Sequence, residues 1–132
     1  MKGEYNEYGP TLIRVFLGLL LLIPGISKLM NPAGITGLLT GIGFPIPVLF
    51  AWIVILGEII FGVTIIIGWK VKYTAWPLAI ILAVAVITVA IPNMNGNPIN
   101  LLFHLQAIAG LISLTLTGSG MWSIDDMIKK RR

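Results

Sequence analysis

Four stretches of this chain, at about 11–30, 48–68, 74–91 and 99–117, are almost uninterrupted runs of apolar residues. Each is close to the roughly 20 residues that a helix needs to cross the hydrocarbon core of a bilayer. No other feature limits the fold as strongly. An amphipathic helix of a soluble domain would show one apolar stripe, whereas these segments are apolar all round. Composition closes the alternative. The 132 residues are 57% hydrophobic and 11% charged, with a mean hydropathy of +0.96. A soluble domain of this size hides only about two thirds of its surface, too little to bury so much apolar material. The expected fold is an all-α membrane protein: a four-transmembrane-helix bundle, with residues 1–132 as a single integral membrane domain.

The first stretch also has the look of a signal peptide, with Lys2 ahead of an apolar run and small residues in "GIS" at 25–27. Because the chain starts at Met1 and keeps this segment, the expectation is a membrane helix. The net charge of +4 is distributed as topology signals are. Lys2, the Lys70/Lys72 pair and the Lys129–Arg132 tail fall on one side of a four-span chain, while the 92–100 connection is uncharged. Positive-inside bias then gives a multi-pass cell-membrane protein with both termini cytoplasmic. The tail suits contact with anionic lipid, and no nucleic-acid partner is expected. The sequence has no cysteine, which excludes disulfides, thiolate metal sites and thiol redox chemistry.

Between the spans, "MKGEYNEYGP" reads as a polar lead ending in a break at Gly9-Pro10. Tyr5, Tyr8, Trp52, Trp69, Trp76 and Trp122 lie mostly near span ends, as an interfacial aromatic belt would. The 31–47 link is too apolar for a water-exposed loop. Ile35, Leu38, Leu39 and Ile42 recur at helical spacing, so it should hold a short interfacial or re-entrant helix between helices 1 and 2. Past the last span, Gly118 and Gly120 stop the helix. Ser123 can cap a short cytoplasmic helix at about 123–130, with Asp125 and Asp126 in its first turn.

A charge near the bilayer centre costs about 3 kcal/mol or more, so each polar residue inside a span needs a reason. At 3.6 residues per turn, Arg14, Gly18, Leu21, Gly25 and Lys28 share one face of the first span; Ala51, Glu58, Gly62 and Ile65 share one face of the second. Asn100, His104, Leu111 and Thr115 align on the fourth, and Ala75, Ala79, Ala83 and Ala90 form a small-residue side of the third. These polar faces should point inward. By helical rise, Lys28 lies roughly 5 Å, His104 roughly 9 Å and Glu58 roughly 16 Å below the outer surface, with Arg14 near the inner one. Arg14 and Lys28 are close enough to helix ends for snorkelling to be the competing explanation; Glu58 is not. It should face the bundle interior and pair with Lys28, His104 or Arg14. Gln106 points away from His104 and reads as an interhelical hydrogen-bonder. A single histidine does not support a haem or zinc site, so no metal is expected.

The segments "RVFLGLLLLIPGISKLMNP", "GFPIP", "GEIIFGVTIIIGW" and "GSGMWSID", in this order and spacing, resemble the DoxX family of small prokaryotic membrane proteins over about 11–126. The resemblance implies a four-helix bundle and an association with oxidoreductase systems, among them the DoxD-type membrane subunit of thiosulfate:quinone oxidoreductases. Arg14, Gly18, Gly25, Lys28, Glu58, Gly62 and Asp125 fall on the family pattern, and His104 resembles its histidine in the last span. Met121, where the family usually has a basic residue, and the lack of cysteine depart from it. The resulting expectation is an accessory membrane subunit, with Glu58, His104, Lys28 and Arg14 as ligand-binding candidates and Gly18, Gly25, Gly62 and Asp125 as packing residues. It would have no intrinsic cofactor but could hold a bound quinone. The expected partners are membrane lipid, a redox partner subunit and, as a further option, a second copy in a homo-oligomer. Two alternatives use the same residues: a non-redox binder or carrier of a small amphiphile, and a membrane anchor that recruits a soluble enzyme.

Overall fold

The computed structural model describes residues 2–132, with side chains from Asn6 onward; the side chains of Lys2 and Tyr5 lie outside the described residues. The chain forms α1 (Lys2–Met30), α2 (Pro32–Gly41), α3 (Pro47–Ile67), α4 (Val71–Ala85, running on through a π-helical turn, Val86–Ala90), α5 (Ile99–Thr117) and α6 (Ile124–Lys130). Among the described residues, four segments are long and apolar enough to cross a membrane: Asn6–Met30, Pro47–Ile67, Val71–Ala90 and Ile99–Thr117. The all-helical, four-span architecture read from the apolar blocks is the one observed.

The bundle is assembled from two closely packed pairs, α1 with α3 and α4 with α5. Glycines allow the first contact. A Cβ on Gly62 would come within 3.3 Å of Leu22 Cβ, and one on Gly25 within 3.0 Å of Glu58 Cβ. A Cβ on Gly18 would run into Ile66, so no larger residue fits there without moving the helices apart. The core is formed by Leu21, Ile65, Val71, Leu78, Leu111 and Leu114. Phe16, Ile87 and Leu116 lie on the outer surface, as a lipid-facing shell requires. Trp52, Trp69, Trp76 and Trp122 are also exposed.

Two local expectations change. Gly9-Pro10 does not break the chain, because α1 runs through it. Proline removes a single backbone bond there, next to the exposed Asn6, and Thr11 Oγ1 donates to Glu7 O at 2.9 Å across the same turn. On α4, Ala75, Ala79 and Ala90 are buried but Ala83 is exposed. A strict four-residue spacing drifts off a 3.6-residue helix, so Leu82 takes the inward position. The 31–47 link holds the short helix expected there, α2, with Leu39 buried, Ile35 half-buried and Leu38 and Ile42 on the outer surface.

The turns follow from glycine. At the end of α2, Gly43 has φ +73°, Phe44 N–H donates to Leu39 O at 2.9 Å and Gly43 N–H to Thr40 O at 3.0 Å. This is a Schellman stop. Gly68, also at φ +73°, ends α3 in the same way, with Trp69 N–H on Thr64 O at 2.9 Å and Gly68 N–H on Ile65 O at 3.0 Å.

Candidate functional site

Two polar arrangements occupy opposite ends of the bundle. At one end, Lys28 in the last turn of α1 donates to both carboxylate oxygens of Glu58 on α3, at 2.6 and 2.8 Å. Gly25, one turn earlier, lets α3 come close enough for the ammonium to reach. The Glu58 side chain is only 6% exposed and that of Lys28 33%. The carboxylate is therefore held inside the protein, and the cation faces an opening.

That opening is a cavity of about 560 Å³ walled by α2, α3, α4 and α5. Most of its lining is apolar, with Ile35, Leu38 and Leu39 of α2 forming one side. Phe44 and Phe50 meet edge to face, with ring centres 4.9 Å apart, at its wall. Its polar groups are Lys28, Glu58, Thr88, Asn100 and His104. Thr88 belongs to the π-helical turn, and its hydroxyl donates to Val84 O at 2.8 Å. His104 Nδ1 lies 2.8 Å from Asn100 O. A carbonyl oxygen only accepts, so Nδ1 carries the hydrogen and Nε2 of the neutral ring is an acceptor. A ligand thus meets a donor at Lys28, which has three N–H bonds and gives two to Glu58, and an acceptor at His104.

Arg14 is not part of this cavity. The structure pairs Glu58 with Lys28 and puts Arg14 at the other end, 2% exposed, where its Nη2 donates to Met121 O and Trp122 O, both at 3.2 Å. Thr11 Oγ1 donates to Met121 O as well, at 3.1 Å. These contacts use backbone carbonyls, so they do not depend on a basic side chain at position 121. Asp125 completes this end. Its carboxylate accepts from Lys70 N–H at 2.8 Å and Val71 N–H at 3.1 Å, capping α4 from a distant part of the chain, while its own N–H donates to Gly68 O at 3.0 Å. Ser123 caps α6, accepting from Asp126 N–H at 3.0 Å. Sequence reasoning placed Lys28, Glu58 and His104 together. It missed Phe44, Phe50 and Thr88 as lining residues, because nothing in their spacing separates a cavity wall from a lipid face. Gln106 does face away from His104, but it has no hydrogen-bond partner among the described residues.

A polytopic α-helical membrane protein with a buried ion pair beside an apolar cavity is the class that this architecture defines. The chain belongs to the DoxX family, whose profile matches residues 9–91. The match takes in Arg14, Lys28 and Glu58 and stops before α5, so His104 and Asp125 lie beyond it. The chain is similar to "Uncharacterized membrane protein Rv3486" of Mycobacterium tuberculosis, at 29% identity over 90% of this chain and 80% of the relative. It is likewise similar to "Putative oxidoreductase CatD" of Bacillus subtilis, at 29% identity over 94% of this chain and 90% of that protein. No solved structure matches it.

Proposed function

We propose that this protein is the membrane subunit of an oxidoreductase system and holds a quinone, or a similar amphiphile with a polar ring and an apolar tail, in the cavity behind α2. The observation that carries this reading is the Lys28–Glu58 pair at the wall of a cavity that is otherwise apolar and also lined by His104. Apolar walls with a few placed polar groups are what an amphiphile site needs. The name of the Bacillus relative supports the oxidoreductase association.

The hydrogen-bond pattern assigns roles. The remaining Lys28 N–H serves a ligand carbonyl, and Nε2 of neutral His104 serves a ligand hydroxyl. Donation to a quinone carbonyl therefore falls to Lys28 rather than to the histidine. Reduction of a quinone to a quinol takes up two electrons and two protons. The electrons come from a redox partner subunit, and Glu58 and His104 are the groups in the cavity able to relay protons. The charge distribution supports cytoplasmic termini, with Arg14 and Asp125 at the inner end and the cavity towards the outer one.

The test is the ultraviolet spectrum of an organic extract of the purified protein, with ligand retention compared in wild type, Glu58→Gln and His104→Ala. Near-stoichiometric quinone that is lost from both variants, in protein that stays folded, is the expected result. If both variants lose stability and retain the ligand, the polar cluster is scaffold and the reading fails.

A further inference from the structure

Gln106 sits in the middle of a membrane span without a hydrogen-bond partner among the described residues. It is the eighth residue of α5, about 10 Å from the nearer helix end by helical rise. An amide side chain reaches roughly 5 Å from its Cα, so it cannot extend to the headgroups. Gln106 is exposed and has no hydrogen-bond partner among the described residues. An exposed residue at this depth of a span faces hydrocarbon, where an unmatched amide is unfavourable.

Its surroundings have the form of a contact face. Phe103, Gln106, Gly110 and Ser113 follow a 3-4-3 spacing, the seam of a helix that packs on another helix. All four line a groove of about 740 Å³ between α1 and α5, opposite Ile13 and Phe16. Ser113, one heptad from Gln106, adds a hydroxyl to the amide on the same seam. The two helices that border the groove are also the least covered of the four spans, with 22% and 17% of their apolar windows buried against 33% for each of the others. The room for a partner is therefore on this side.

We infer that this groove is a self-association face, in which Gln106 of one copy hydrogen-bonds Gln106 of a second copy of this chain. An acyl chain would fill the volume but leave the amide unmatched. An amide donates and accepts, so it is its own complement, and a twofold contact brings the same residue of both copies together. Small residues at Ala109 and Ser113 permit a close approach, while Gly110 already accommodates Leu17 of α1. This face lies on the opposite side of α5 from the proposed ligand and does not depend on it.

The absence of cysteine in the chain makes the test clean. In liposomes, the single substitution Ser113→Cys should give oxidative cross-linked dimers. Leu116→Cys, which is 78% exposed and outside the groove, should not. Energy transfer between labelled copies, diluted with lipid, should show association weakened about 3- to 30-fold by Gln106→Leu and largely kept by Gln106→Asn. A protein that is monomeric across the range, equal cross-linking from 113 and 116, or an unchanged association of Gln106→Leu would each overturn the inference. Since Gln106→Leu makes the span more apolar, its insertion and helicity, read by circular dichroism, should be retained.

Discussion

The Lys28–Glu58 pair should respond unequally to removal of its two halves. Lys28→Met leaves a carboxylate whose side chain is 6% exposed without its cation. Breaking a buried pair from one side costs about 3–5 kcal/mol, because the remaining carboxylate must either stay buried without a partner or take up a proton. Glu58→Gln is milder for two reasons. The amide oxygen still accepts one of the two hydrogen bonds, now at 2.6 and 2.8 Å, and a charge-assisted bond contributes about 1.5–3 kcal/mol. The Lys28 side chain is also 33% exposed and in the last turn of α1, so it can turn towards the membrane surface. A loss of about 1–2 kcal/mol is expected. The double variant should be less destabilised than the sum of the singles by about 1–2 kcal/mol, the signature of direct coupling. Reversible unfolding in mixed detergent micelles, followed by circular dichroism on protein stripped of ligand, measures all three. Equal losses in the two single variants, or the larger loss in Glu58→Gln, would refute the asymmetry and with it the claim that Glu58 is the trapped partner.

Gly43 and Gly68 share φ +73° but not their surroundings: a Cβ at Gly43 meets nothing within 4 Å, whereas one at Gly68 runs into Arg14 and Ser123. Gly43→Ala should thus cost about 1–2 kcal/mol, the left-handed penalty alone, and Gly68→Ala clearly more in the same unfolding assay. Asp125→Ala should lose about 1–2 kcal/mol by uncapping α4 and raise amide exchange at Lys70 and Val71. Reporter fusions at Lys72 and Gly96 should fall on opposite sides of the membrane, with Lys72 inside.

The spans were legible because hydropathy over about 20 residues needs no tertiary information. That Glu58 faces the interior was legible as well, since depth and helical face are both local quantities, but the choice of Lys28 over His104 or Arg14 as its partner was not. The destination of Arg14 was not. It depends on a return of the chain after α5 through Gly118 and Gly120, at φ +87° and +69°, and then Trp122 at φ +52°, a residue type that seldom takes that conformation. Periodicity carries no signal for such a path. Nor does it show that Asp125, which reads as an ordinary first-turn acid of α6, also caps α4. The continuation of α1 through Pro10 was hidden for a different reason: a proline reads as a stop in water, but its effect here falls near a helix end whose carbonyl is accessible.

The contacts of Arg14 have a consequence for biogenesis. Its acceptors are 107 and 108 residues further along the chain, so the first span enters the membrane carrying a guanidinium whose partners have yet to be synthesised. Through insertion of all three later spans that group must be served by water or lipid phosphate at the membrane boundary. It reaches its final partners only when "GSGMWS" leaves the ribosome and folds back over α1. A chain cut after Thr117 keeps every span yet never completes this closure. The segment that follows the last span therefore decides whether the first helix settles.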